Sequence, residues 1–149
     1  KGGIDEPYII RRPEIIHGLR NMIQNAVDFA TSKVWVESSW TKESITITIS
    51  DDGYGYPPNL LGRLGDPFLG TKMGKENRRG YEGMGLGLFI AKTLLERTGA
   101  NISFSNGHKN QTSSQSQSAP SGAIVDIYWP RKKVESTSNL FGENQNFSI

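Results

Sequence analysis

Cysteine is missing from this chain altogether, which excludes a disulfide framework and a thiolate zinc site. An excess of one charge sign is missing too. Lys and Arg number 17 against 15 Asp and Glu, and the formal net charge of +2 is too balanced to mark a nucleic-acid partner or an anionic membrane surface. No uninterrupted apolar run is long enough to span a bilayer, and Lys1-Gly2-Gly3 is no signal peptide. That start reads as cut or vector-derived, so the chain is expected to be a fragment with any membrane anchor outside it. What is present is 35% hydrophobic and 21% charged over 149 residues, enough for one domain with a real core. The last third is polar, rich in Gln, Ser and Asn.

Pro13 suits the first turn of a helix, and Glu14 beside it favours the helix dipole. Ile15, Ile16, Leu19, Met22, Ile23, Ala26, Val27 and Ala30 then recur at helical spacing as a stripe expected to be buried. The opposite face carries Glu14, His17, Asn21, Asn25 and Asp28. Two strand-like runs follow, residues 33–40 around Val34 and Val36, and residues 44–50 with Ile45, Ile47 and Ile49 on one face. The short polar turn Thr41-Lys42-Glu43 makes them a hairpin. Residues 51–58 read as loop, marked by Gly53, Gly55, Pro57 and Pro58.

A second loop, 70–83, holds four glycines and the cations Lys72, Lys75, Arg78 and Arg79, a composition expected to stay mobile until something binds. A helix is expected from about Leu86 to Gly99, a good terminating residue after Arg97 and Thr98. Residues 101–105 and 123–129 read as two more strands. Between them, 107–121 is a low-complexity Ser/Gln stretch, expected to be a flexible surface connection. From Arg131 onward a disordered or loosely attached tail is expected, giving one domain over 1–130 and a tail over 131–149. The order helix, hairpin, loops, helix, hairpin predicts an α+β fold, a two-layer sandwich with helices on one face of a mixed sheet.

Gly83-Met84-Gly85-Leu86-Gly87-Leu88 precedes the apolar helical run. Glycines at alternate positions leave backbone N–H groups uncovered at a helix N-terminus, where the dipole favours an anion such as a nucleotide phosphate. A glycine-rich turn alone can simply connect elements. Its company matters more: Asn21 and Asn25, one helical turn apart and projecting the same way, then Asp51-Asp52-Gly53-Tyr54-Gly55, then Asp66-Pro67-Phe68. In this order the four stretches resemble the N, G1, F and G2 boxes of the catalytic ATP-binding domain of bacterial sensor histidine kinases. That domain belongs to the gyrase, Hsp90, histidine kinase and MutL superfamily. The resemblance covers roughly residues 8–130. Residues 23–30 and 85–100 further resemble the RegB/PrrB redox-responsive type.

The resemblance implies a Bergerat-type ATP-binding fold and Mg²⁺-dependent use of ATP. It makes Asn25 the Mg²⁺ ligand, for which an amide oxygen is a suitable hard donor, and Asn21 a phosphate-side contact. Asp51 is expected to accept from the adenine amino group, a position where guanine presents a carbonyl, while Gly53 and Gly55 let the backbone approach the base. Asp52 reads as an acidic turn at a strand end. Tyr54 and Tyr56 are bulkier than the residues the family often has there, and either line the base or cover the loop from outside. Phe68 corresponds to the aromatic that holds the lid against the body. Lys72 stands with Lys75, Arg78 and Arg79 on that lid, from which one or two cations are expected to reach the β/γ-phosphates. Gly83, Gly85, Leu86 and Gly87 are expected at the phosphates through backbone amides.

A hydrolytic ATPase of the superfamily places a glutamate, the general base, where Asn21 stands; an amide cannot take that proton. Asp28 does resemble what those ATPases carry, but the missing base favours a kinase. A protein-serine kinase and a nucleotide-binding module without catalysis are the other readings. Neither His17 nor His108 has the context of a phosphoacceptor. The implied partners are therefore ATP, the parent's dimerisation and phosphotransfer domain, through which alone a homodimer would form, and a response regulator. The implied location is cytoplasmic, with the parent anchored in the bacterial inner membrane. With no cysteine, nothing in these residues senses redox.

Overall fold

The computed structural model describes residues 4–65, 78–107 and 121–136, with the backbone alone at 60 and 78–85. Helix α1 spans Pro13–Phe29, strands β1 and β2 span Val34–Trp40 and Ser44–Asp51, and a 3₁₀ turn spans Pro58–Arg63. Helix α2 spans Arg78–Glu96, strands β3 and β4 span Asn101–Asn106 and Ala123–Pro130, and the one-turn α3 spans Arg131–Val134. The four strands form one sheet in the order β1-β2-β4-β3, and among the described strands every pairing is antiparallel. Both long helices lie on one face, so the two-layer α+β arrangement expected from the sequence is the one observed.

Period-2 alternation decides which strand residues meet the helices. Ile45, Ile49, Val125, Ile127 and Trp129 are buried against Met22, Ala26, Leu88, Ala91 and Leu95, while Thr46, Thr48, Asp126 and Tyr128 lie on the other face. Asp51 continues the row Ile45, Ile47, Ile49, so its side chain also points under the helices. The indole N–H of Trp129 donates to Thr98 Oγ1 at 2.8 Å, and that hydroxyl donates to the Leu95 carbonyl at 2.6 Å. A large ring is thereby buried without an unpaired donor, and the end of α2 is fastened to β4.

Helix α1 packs chiefly on α2. Gly18 sits at this contact: a Cβ there would come within 2.5 Å of Leu95 Cγ. The buried stripe is Ile15, Gly18, Met22 and Ala26, with Leu19, Ile23 and Phe29 packed at its margin. Val27 does not join it and is 53% exposed.

The turn from α1 to β1 is organised by Asp52. Its Oδ1 accepts from the backbone N–H groups of Thr31, Ser32 and Lys33 at 2.9, 2.9 and 3.0 Å, and its Oδ2 from the Ser32 hydroxyl at 2.6 Å. These bonds stabilise the ionised form, led by that from the Ser32 side chain, and hold the Asp52 carboxyl well below the usual carboxylate range.

Two boundaries differ from expectation. Helix α2 begins at Arg78, eight residues before Leu86. Arg78 and Arg79 before the first glycine, and Glu, Met and Leu between the glycines, keep enough helix propensity to carry the backbone through them. At the other end, residues 131–136 are packed rather than a loose tail. Val134 is fully buried, Ile10 N–H donates to the Val134 carbonyl at 2.7 Å, and Ser136 N–H donates to the Tyr8 carbonyl at 2.7 Å. Arg131, 9% exposed, donates to Glu135, to the Thr41 carbonyl and to the Asp5 carbonyl. The guanidinium fork supplies donors in several directions at once, which joins the N-terminal segment, the β1–β2 turn and the chain after β4. Residues 108–120 of the Ser/Gln-rich stretch and 137–149 lie outside the described residues.

Two measurements check this account. Gly18→Val should lower the free energy of unfolding in urea by about 1–3 kcal/mol, the usual cost of overpacking. Asp52→Ala should destabilise the domain at pH 7. Because its folded-state pKa is depressed, the stabilisation from Asp52 is present above the ordinary value of 3.8 and is lost as pH falls below it. The stability gap between Asp52→Ala and the unaltered chain should therefore narrow below that pH.

Candidate nucleotide site

Asp51 is the last residue of β2 and is 1% exposed. Its Oδ1 accepts from Gly53 N–H at 2.8 Å and from Ala123 N–H at 3.2 Å. Among the described residues its other oxygen, Oδ2, receives no hydrogen bond. Burial pushes the carboxyl pKa above 3.8, the two backbone N–H groups pull it down, and neighbouring Asp52 adds a smaller push upward. The carboxylate is thus anchored through one oxygen by two backbone donors.

Glycine makes this anchoring possible at two positions. A side chain on Gly122 would run into Asp51 Oδ1, and one on Gly53 into the Phe29 carbonyl. Gly122 also donates its N–H to the Asp51 carbonyl at 2.9 Å. The start of β4 and the end of α1 thus close on the strand end from opposite sides.

The two tyrosines separate cleanly. Tyr54 is 95% exposed, on the outside of the loop. Tyr56 is 3% exposed and stands edge-on to Phe104, with ring centroids 5.7 Å apart and planes at 90°. Burial, then the charge of Asp51, raises the Tyr56 phenol well above its ordinary pKa of 10.0, so it stays a neutral group capable of donating.

Asn21 and Asn25 are half-buried along the margin of the α1 stripe, and neither side chain makes a hydrogen bond among the described residues. An amide oxygen placed so, on a helix beside Asp51's strand end, fits the hard-donor chemistry of a Mg²⁺ ligand. Among the described residues no three His, Cys, Asp or Glu side chains come together as a metal site. Asp28 on the same helix is exposed and accepts from Gln24 Nε2 at 2.8 Å; His17 is exposed.

Gly83, Gly85, Leu86 and Gly87 fall inside α2. The expected row of uncovered amides at a helix start is therefore not present, since a helix commits interior N–H groups to its own carbonyls. Leu86 is exposed and Leu88 is buried. Phe68, Lys72 and Lys75 lie outside the described residues; Arg78 and Arg79 open α2, with the backbone alone described.

Sequence reasoning missed Gly122, Ala123 and Asn106 at this site. A glycine opening a strand was visible as a sign of close backbone approach, but which strand end it would meet depends on the sheet order. Asn106 carried no sequence signal of its own.

Residues 11–133 match the family described as histidine kinase-, DNA gyrase B- and HSP90-like ATPase. Over 97% of its length the chain is 53% identical to the sensor histidine kinase RegB of Cereibacter sphaeroides. It spans 32% of that protein's length. Among solved structures, the mycobacterial sensor histidine kinase MprB superposes with a TM-score of 0.63 at 21% identity, covering 82% of this chain and 76% of that one. Full-length ShkA, in complex with AMPPNP, superposes with a TM-score of 0.62 at 20% identity, covering 89% of this chain and 24% of that one. At such identities these two structures speak for the fold alone. The family match and the RegB identity speak for more: the chain belongs to the histidine kinase-, DNA gyrase B- and HSP90-like ATPases, and within them is similar to the RegB-type sensor histidine kinases.

Proposed function

We propose that this domain binds Mg-ATP and donates the γ-phosphoryl group to a histidine on a separate dimerising segment of a RegB-type sensor kinase. The observation that carries the reading is Asp51, a buried carboxylate held by two backbone donors through one oxygen, with no donor to the other among the described residues. Such an acceptor suits the exocyclic amino group of adenine and opposes the carbonyl that guanine offers. Asn25 would hold Mg²⁺ through its side-chain oxygen, and the ion, when bound, neutralises charge on the phosphates. Asn21 would contact the phosphate side. For Gly83, Gly85 and Gly87 to offer amides to phosphate, the first turns of α2 must open. Glycine makes that inexpensive, at about 1 kcal/mol of helix propensity per residue relative to alanine.

The amide at Asn21 favours transfer over hydrolysis, because it cannot deprotonate water. Phe68 and Lys72 keep their proposed parts as lid aromatic and lid cation. The parent would add the dimerising segment with its acceptor histidine and would pass the phosphoryl group to a response regulator. An inner-membrane anchor and redox sensing belong to the same proposal, and both would reside in the parent. Among the described residues no helix is long and apolar enough to cross a membrane.

Asp51→Asn tests the base assignment. The asparagine oxygen can still accept from Gly53 and Ala123, but its NH₂ then meets the adenine amino group donor to donor. ATP affinity by calorimetry should fall by about 10- to 100-fold, the range for a lost charge-assisted bond. The apo protein should be as stable as before or more so, since the raised pKa means the Asp51 charge opposes folding at pH 7. Unchanged ATP affinity would remove Asp51 from the site.

A radiolabelled-ATP assay separates kinase from ATPase. The chain alone should bind ATP but neither hydrolyse it appreciably nor label itself. Adding the parent's histidine-bearing hairpin should give acid-labile phosphorylation of the hairpin. Steady phosphate release with no transfer would make the domain an ATPase.

A further inference from the structure

Asn106, the last residue of β3, reaches across to the loop that follows β2. Its Oδ1 accepts from Tyr56 N–H at 2.7 Å, and its Nδ2 donates to the Tyr56 carbonyl at 2.7 Å. A planar side-chain amide thus does for Tyr56 what a neighbouring strand's backbone does for a ladder residue. Asparagine is suited to it, having a donor and an acceptor side by side; aspartate lacks the donor and leucine lacks both.

A second observation shows the loop shaped around that amide. Gly55 has φ +80°, in the region that glycine tolerates, and a Cβ there would come within 2.7 Å of Asn106 Oδ1. A third shows what the contact holds. Phe104, two residues before Asn106 and on the same side of β3, receives the Tyr56 ring edge-on. At the other end of the loop, Gly53 N–H anchors Asp51 Oδ1. The loop of residues 53–56 is thus fastened at one end to the carboxylate and at the other to Asn106.

We propose that Asn106 is a positioning residue of the nucleotide site. By bonding Tyr56 at both backbone atoms it fixes the 53–56 loop, and through Gly53 it fixes how Asp51 meets the base. The inference rests on the adenine-nucleotide reading of Asp51. Its effect belongs to the base end of the ligand, so it acts equally on ADP and adenosine and does not depend on Mg²⁺.

The test uses the 149-residue chain and calorimetric titration with ADP and with adenosine, each with and without Mg²⁺. Asn106→Ala, at a temperature where circular dichroism shows it folded, should bind both ligands about tenfold more weakly, the effect of losing a hydrogen bond's worth of fixation. Asn106→Asp keeps the acceptor for Tyr56 N–H and should fall between. Ile102→Ala, on the same strand but away from the loop, should lower the thermal midpoint and leave affinity within about twofold, as expected for a purely packing role. If Asn106→Ala does not fold, Asn106→Asp decides: affinity equal to the unaltered chain overturns the proposal. Equal ADP affinity in the unaltered chain and in folded Asn106→Ala overturns the inference alone. A loss seen only with Mg²⁺ also overturns it. No ADP binding by the unaltered chain overturns the nucleotide reading, and the inference falls with it.

Discussion

A buried carboxylate with two backbone N–H groups on a single oxygen is the constraint around which this domain is arranged. Asp51 occupies a place on the core face of β2 that the preceding alternation would give to another isoleucine. A charge there is costly unless it is hydrogen-bonded. The two donors come from different elements, Gly53 in the loop after β2 and Ala123 at the start of β4. Satisfying one side chain therefore requires a loop, two strands and the end of α1 to converge, and it requires glycine where backbone must pass close. Among the described residues Oδ2 receives no hydrogen bond, which is what the proposed adenine contact requires.

The neighbouring carboxylate shows how strongly one residue of register matters. Asp51 and Asp52 are identical side chains on consecutive residues. Burial shifts Asp51 upward, whereas hydrogen bonds from Ser32, Lys33 and Thr31 shift Asp52 downward. One points under the helices; the other points to the α1–β1 turn. Consecutive carboxylates thus shift in opposite directions, because one is buried and the other is bonded by a turn. Asp52 thereby fastens the turn after α1 to the end of β2.

Much of this could be read in the sequence. The isoleucines of β2, the helical stripe of α1 and the Pro13 start are local patterns, and local patterns determined these elements to within a residue or two. Asp51, Asn21 and Asn25 could be singled out because their motif order is unusual. What could not be read was set by contacts between distant segments. Arg131 looks like the opening of a polar tail until its guanidinium finds carbonyls at Thr41 and Asp5 and the carboxylate of Glu135. Val27 fits helical spacing too, yet it is exposed. Helix α2 runs back to Arg78 through three glycines, because residues between punctuating glycines still favour helix when nothing competes for their backbone.

Sheet order explains why these site pieces meet at one end of the molecule. With the order β1-β2-β4-β3 and antiparallel pairing, the C-terminal ends of β2 and β3 must flank the N-terminal end of β4. Asp51, Asn106 and Ala123 are those three ends, with Gly122 just before the last. Backbone bonds stitch them across: Gly107 N–H to the Gly122 carbonyl at 2.8 Å, and Gly122 N–H to the Asp51 carbonyl at 2.9 Å. The site end of the sheet is therefore specified by its strand termini, which the sheet order alone brings together.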